Sequence, residues 1–383
     1  IHMFKPQFLQ KLNSHLTELL KFFALAAGLL LLRYFFTAYV YYLFPSYTWN
    51  VDKFIFEPQV STFYQNKLPQ TNLWTLWGKW DTAFYVEIAQ NGYLSESYNE
   101  TRMVNWGFYP LYPILMFVVR SVFWATNTLD SNLYAGILVS LTSFTLALYV
   151  WNRVLKYVMG LPDNVRLLSF AFLLCFPSSY FFSLVYTESL FLLLTAITFW
   201  ALLKKKFFLA SIFVGLASVT RLQGILLFVP LFLFVIHEHV GIYKKLGRFV
   251  LLCFPGLLTL GLFSLHLYYV TGNFFAMLQI HKTLNNVGFS PFGYIKNYIH
   301  QMQGANMLVN AHFLNFAILV FFLVFLIVIL VTLWKSFDYI DFVFASYSLV
   351  YILFVSGLGL GVSVPRFLVV LFPFVVLLFK RLP

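Results

Sequence analysis

FYPLYPILMFVVRSVFWAT, residues 108–126, is apolar enough to be counted as a membrane-spanning helix, and whether it crosses sets the topology of everything after it. Pro110 and Pro113 interrupt its start. Arg120 sits well inside it, where a position at the bilayer centre costs about 2.5–3.5 kcal/mol on insertion scales. The basic residues of the rest of the chain arbitrate, because Lys and Arg concentrate in short cytoplasmic loops. If 108–126 does not cross, Lys5/Lys11/Lys21, Arg153/Lys156/Arg166, Lys204/Lys205/Lys206, Lys244/Lys245/Arg248, Lys335 and Lys380/Arg381 all fall on one side. If it does cross, the Lys triplet and the 244–248 cluster move outside. The segment therefore reads as re-entrant or surface-lying, which membrane backbone permits where it is buried in protein or lines a cavity.

Composition makes lipid the main solvent of the whole chain. Of its 383 residues 61% are hydrophobic and only 10% charged, against about 25% charged in a soluble domain. A spanning helix needs about 20 mostly apolar residues. Candidate spans fall at 18–45, 131–152, 166–185, 187–203, 207–222, 224–240, 249–270, 313–334, 340–357 and 366–380, about ten in all. The expectation is an all-α polytopic membrane protein, one transmembrane domain over 1–383, with surface helices on its outer face. The net charge of +12 resides in short clusters between apolar runs, where topology accounts for it, so nucleic acid is not an expected partner.

Under this topology both termini are cytoplasmic, and residues 46–130 and 271–312 lie outside. The first of these is acidic, with Asp52, Glu57, Asp81, Glu87, Glu96 and Glu100 against Lys53, Lys67, Lys79 and Arg102. Ahead of the first span, Phe4, Phe8, Leu9, Leu12 and Leu16 recur near helical spacing among Lys5, Lys11 and His15, the pattern of a helix lying on a membrane surface. That span is too long for a signal-peptide core, and Ile1 and His2 read as an expression remnant before Met3. Cys175 and Cys253 lie inside apolar runs and read as core thiols.

The outer segment contains WGKWDTAFYVEIAQNGY, residues 77–93, where Asp81 precedes a stretch that puts Phe84, Tyr85, Ile88 and Ala89 on one helical face. Asp81 is thus at a helix start, where it can cap the helix, act as a general base, or do both. Polar residues at membrane boundaries carry more information, since each must find a partner or a water-filled cavity. Glu188 in YTESLF, Arg221 in TRLQG and Arg366 in SVPRF interrupt apolar runs, and Gln223 and Gly224 mark a broken helix beside Arg221. Singly, Glu188 can cap the following helix and either arginine can snorkel to the interface. Together with Asp81 and Tyr109 they come out on one face under a topology fixed by other residues. A carboxylate suits deprotonation of a sugar hydroxyl, while guanidinium groups suit a phosphodiester. A phosphate leaving group needs no prior protonation, so one essential base suffices, unlike in an inverting glycosidase. His237, Glu238 and His239 fall at a cytoplasmic helix end with no second cluster, and no metal site or cofactor is expected. His281, Lys282 and His300 read as exposed residues of the second outer segment, and Asp338 and Asp341 as caps.

The motifs WDTAFYVEIAQNGY, FYPLYP, YTESLF, TRLQG and SVPRF, in this order across residues 80–367, resemble the PIG-V family of membrane mannosyltransferases, which includes GPI mannosyltransferase 2 and prokaryotic relatives. The resemblance implies a GT-C fold and transfer of mannose from a polyprenyl- or dolichyl-phosphate donor to a glycolipid or glycan acceptor, with inversion and without a nucleotide. It also implies Asp81 as the base. Trp80, Tyr109, Tyr112, Glu188, Arg221, Gln223 and Arg366 are then the candidate substrate-binding residues. A lipid-sugar transporter or flippase is the rival expectation, though transporters usually show two related halves and a midplane site.

Overall fold

The computed structural model describes residues 6–43, 78, 81–95, 104–285, 320, 323–334, 338–357 and 364–381. Trp80, His300 and the stretch 46–77 lie outside the described residues, as do the side chains of His281 and Lys282. All regular secondary structure among the described residues is helical. The chain divides into two compact units, Ile1–Arg153 with Tyr180–Leu193, and Val154–Ser179 with Leu194–Pro383.

The first unit holds α1 (Pro6–Leu43), α2 (Thr82–Asn91), a 3-10 turn at Asn105–Gly107, α3 (Leu111–Phe123) and α4 (Leu129–Arg153). The surface helix and first span expected separately are one continuous helix, α1, because no proline follows Pro6 and Gly28 is the only glycine up to Leu43. At 38 residues α1 is about 57 Å long, well beyond a hydrocarbon core of about 30 Å. It packs along α4 through polar contacts, His15 Nδ1 with the Tyr149 hydroxyl at 2.8 Å and Glu18 with Asn152 and Arg153. Farther along, Arg33 donates to Ser183 Oγ at 2.8 Å. Its remaining surface exposes Leu32, Phe35 and Phe36, as a lipid-facing helix does.

Helix α3 is the disputed apolar segment. Its 13 residues span about 20 Å, too short to cross a bilayer unaided. It buries Tyr112, Pro113, Met116 and Arg120 and exposes Ile114, Phe117, Val118, Val122 and Phe123. One side of the helix thus packs within the unit and the other presents apolar side chains.

The second unit contains α5 (Asp163–Cys175), which bends by 82° into a 3-10 stretch beginning at Pro177. Helix α6 (Glu188–Leu203) begins in the first unit and ends in this one. There follow α7 (Phe207–Ser218), a 3-10 turn Leu222–Leu227, α8 (Phe228–Ile236), α9 (Ile242–Thr271), α10 (Ala276–Asn285), α11 (Leu323–Trp334), α12 (Tyr339–Gly357), α13 (Val364–Leu368) and α14 (Phe372–Arg381). Its core is aromatic, with Phe199 edge-on to Phe344 and Tyr347. By length and composition Asn13–Tyr39, Leu129–Val158, Ile242–Thr271 and Tyr339–Gly357 can cross a membrane, and the bent pair 163–183 can make a fifth span. The other apolar runs form shorter helices, and the protein is an integral membrane protein.

Some expectations need correction. The segment around Arg221 is broken as expected, but the final apolar run is also broken, between Leu368 and Phe372. Cys175 is exposed and Cys253 half-buried, so neither is a core thiol; an apolar run in a membrane protein faces lipid as readily as protein. Asp338 does cap, accepting the Ile340 N–H at 3.0 Å, but Asp341 is buried and bonds Lys380 at 2.7 Å. Lys380→Met should therefore lower thermal stability in detergent by about 1–3 kcal/mol, because Asp341 then loses its charged donor in a buried site.

Candidate active site

In the first unit the site is built on α2. The sequence places one apolar face on this helix, but the structure buries Thr82 through Ala89 on all sides. Phe84 stacks on Phe108 at 4.4 Å, and Tyr85 meets Phe108, Tyr112 and Tyr186 edge-on at 5.4, 5.4 and 5.9 Å. The helix ends at Gly92, whose φ of 78° and ψ of −165° fall in a region essentially reserved for glycine. Beyond it Asn105 ties the returning chain: its Nδ2 donates to Glu87 Oε2 and the Gly92 carbonyl, and its Oδ1 accepts the Leu94 N–H. Tyr93 donates to the Phe108 carbonyl at 2.7 Å. Burial, with the Tyr85 and Tyr109 phenols nearby, pushes the Tyr93 hydroxyl well above the usual tyrosine range, so it stays a donor.

Asp81 stands at the entrance of α2, half-buried. Its backbone is already helical (φ −65°, ψ −9°) and its carboxylate makes no capping hydrogen bond, so capping is not what the side chain does here. The backbone is held at both ends: the Asp81 N–H donates to the Tyr186 hydroxyl at 2.8 Å, and its carbonyl accepts the Phe84 N–H at 3.1 Å. Thr82 Oγ1 donates to the Val185 carbonyl. The buried 181–187 stretch thus fixes where Asp81 sits.

Tyr112 is fully buried, its hydroxyl donating to the Gly136 carbonyl at 2.9 Å and lying 2.8 Å from Ser140 Oγ, which reaches the Leu184 carbonyl at 2.7 Å. Glu188, fully buried as the first residue of α6, acts electrostatically on this phenol. The structure therefore gathers Asp81, Tyr112 and Glu188 around Tyr186, and buries Tyr109 alongside Tyr93. Tyr186, Ser140 and Asn105 carry this arrangement with Tyr85, and none of these four was a site candidate in the sequence. Tyr186 had a signal, since it lies two residues before Glu188 in YTESLF.

The second unit holds the cationic candidates. Arg221 is buried and extended (φ −152°, ψ 149°) where α7 gives way to the 3-10 turn, its Nε 3.5 Å from Gln223 Oε1. The guanidinium lies 5.2 Å from the centre of the Phe367 ring, and that of Arg366 lies 5.9 Å from the same ring. Two cations thus share one aromatic platform. Gly224 permits the turn beside them: a Cβ there would stand 2.2 Å from the backbone carbonyl of Ala217. Backbone cannot rotate away, so Gly224→Ala should cost about 1–3 kcal/mol, read as a lowered unfolding temperature.

His237 stacks on Tyr339 with ring centres 3.7 Å apart, and Glu238 pairs with Arg248, which gives that polar cluster a structural account. A family model described as Mannosyltransferase (PIG-V) matches residues 16–246, more than half of the chain. The match takes in Asp81, Tyr112, Glu188 and Arg221 but stops short of Arg366. Neither a curated protein nor a solved structure gives a match.

Proposed function

Because the chain belongs to the PIG-V mannosyltransferase family, we propose that it moves mannose from a polyprenyl- or dolichyl-phosphate donor to a glycolipid or glycan acceptor outside the cytoplasm, with inversion at the anomeric carbon. The GT-C fold and the outward-facing site are part of this proposal. Asp81 deprotonates the acceptor hydroxyl as the new glycosidic bond forms and the bond to the lipid phosphate breaks. Arg221 and Arg366 hold the phosphate, which departs with the bonding electron pair. Trp80, Tyr109, Tyr112, Glu188 and Gln223 form the rest of the substrate-binding set.

The observation that carries this reading is the pair of guanidinium groups over Phe367, an arrangement of like charges that suits a divided anion such as a phosphodiester. Purified protein incubated with radiolabelled polyprenyl-phosphate mannose and crude lipid acceptors should yield covalently mannosylated product. Passage of unmodified sugar-lipid across a proteoliposome, without transfer, would instead establish the flippase.

The proposed topology has its own test. Cysteines introduced at positions 99 and 128 should react with a membrane-impermeant reagent from outside, and one at 205 should not. Labelling of position 128 only from the cytoplasm would overturn the arrangement.

A further inference from the structure

The far end of α3 carries a cation that sugar transfer does not use. Arg120 falls on the row Tyr112, Met116, Arg120, spaced four residues apart on the protein-facing side, and is 8% exposed. Its Nε is buried and meets no hydrogen-bond partner among the described residues. The guanidinium lies 5.0 Å from the centre of the Phe117 ring. Phe117 flanks that row on the exposed side of the helix, which also carries Ile114, Val118 and Val122. The charge therefore sits between the buried row and the exposed apolar side of α3, while its stem stays inside.

A buried guanidinium with an unmet N–H is costly unless an anion reaches it. Interaction with the C-terminal dipole of α3 is the plain alternative, worth about 0.3–1 kcal/mol, and it leaves the Nε proton unmet. A planar guanidinium presents its donors in a fork that matches phosphate, and the apolar face beside it matches acyl chains. We propose that Arg120 holds the phosphate of an anionic bilayer lipid whose chains lie along the exposed face of α3. A structural lipid fits better than the sugar donor, since Arg120 is eight residues, about 12 Å of helix, beyond Tyr112. Such a lipid would pin α3 in the membrane boundary.

The test is native mass spectrometry of protein taken from vesicles of equal phosphatidylglycerol and phosphatidylcholine. Wild-type protein should retain phosphatidylglycerol preferentially, and Arg120→Gln should lose that retention about tenfold. Arg120→Lys, which keeps the charge but not the fork, serves if the Gln variant does not fold, and should fall between the two. Lys204→Gln, in a different cluster, should leave retention unchanged. Equal retention by wild type and both Arg120 variants overturns the proposal. So does full displacement of the lipid by millimolar inorganic phosphate, which identifies a free-anion site. Asn132, whose Oδ1 is also buried without a partner among the described residues, supplies the last arm. If Asn132→Leu abolishes retention as completely as Arg120→Gln, the effect runs through packing of α3 on α4, and the lipid site is refuted.

Discussion

Asp81→Asn should fold, bind donor normally and lose about 10²–10⁴-fold in the rate of mannosyl transfer, the range typical of a positioned general acid or base. Asparagine keeps the size of the side chain and is itself a good capping residue. The substitution removes the ability to accept a proton and little else. The local geometry sharpens the test, because the wild-type carboxylate does not cap α2 and the backbone of residue 81 is fixed independently by Tyr186 and by the first turn of the helix. A folded variant with near wild-type turnover would exclude Asp81 as the base. Suspicion would then pass to Glu188, which is buried near Tyr112, ahead of Glu87, whose Oε2 accepts from Asn105. Single-turnover measurement with saturating donor separates the chemical step from binding.

Removing either guanidinium from the Phe367 platform should weaken donor binding rather than slow a proton transfer. Arg221→Ala and Arg366→Ala should each raise the donor dissociation constant by about 10- to 150-fold, corresponding to about 1.5–3 kcal/mol for a hydrogen bond to a charged group. Arg366→Lys should recover part of this, because lysine keeps the charge but loses the planar, two-pronged donor geometry. The pair is not expected to be additive, since both groups lie against one ring. Unchanged donor affinity in both alanine variants would remove the arginines from the phosphate site. Loss of transfer at unchanged affinity would point to a role in stabilising the departing phosphate instead.

Much of the candidate site was legible in the linear sequence because polar residues in a lipid-solvated chain stand out against their surroundings. Glu188 and Arg221 were conspicuous for this reason, and the break beside Arg221 followed from Gln223 and Gly224 interrupting an apolar run. Asp81 was legible as a helix start. Its side-chain role was not, since capping and catalysis ask for the same residue at the same position. Tyr112 was a candidate through FYPLYP, but its place in one framework with Tyr85 and Tyr186 was hidden among 24 tyrosines, where an interface belt and a buried hydrogen-bonded core have the same composition.

The sequence alone determined that this protein lives in a membrane, that it is helical, and which motifs make it a mannosyltransferase-family chain, because hydropathy and motif spacing are local properties. The tertiary structure alone decided which apolar runs are long helices and which are short, bent or buried pieces. A run of apolar residues satisfies lipid and protein interior equally well, so hydropathy cannot tell Thr82–Ala89, buried on every side, from a stretch that faces lipid. The same limit applies to charge. The cost of Arg120 in a bilayer was readable from its neighbours in sequence, but its position beside exposed apolar surface depends on which side of α3 packs against the rest of the unit. Likewise, Arg221 and Arg366 are 145 residues apart in the chain, and only packing around Phe367 brings their charges onto one ring.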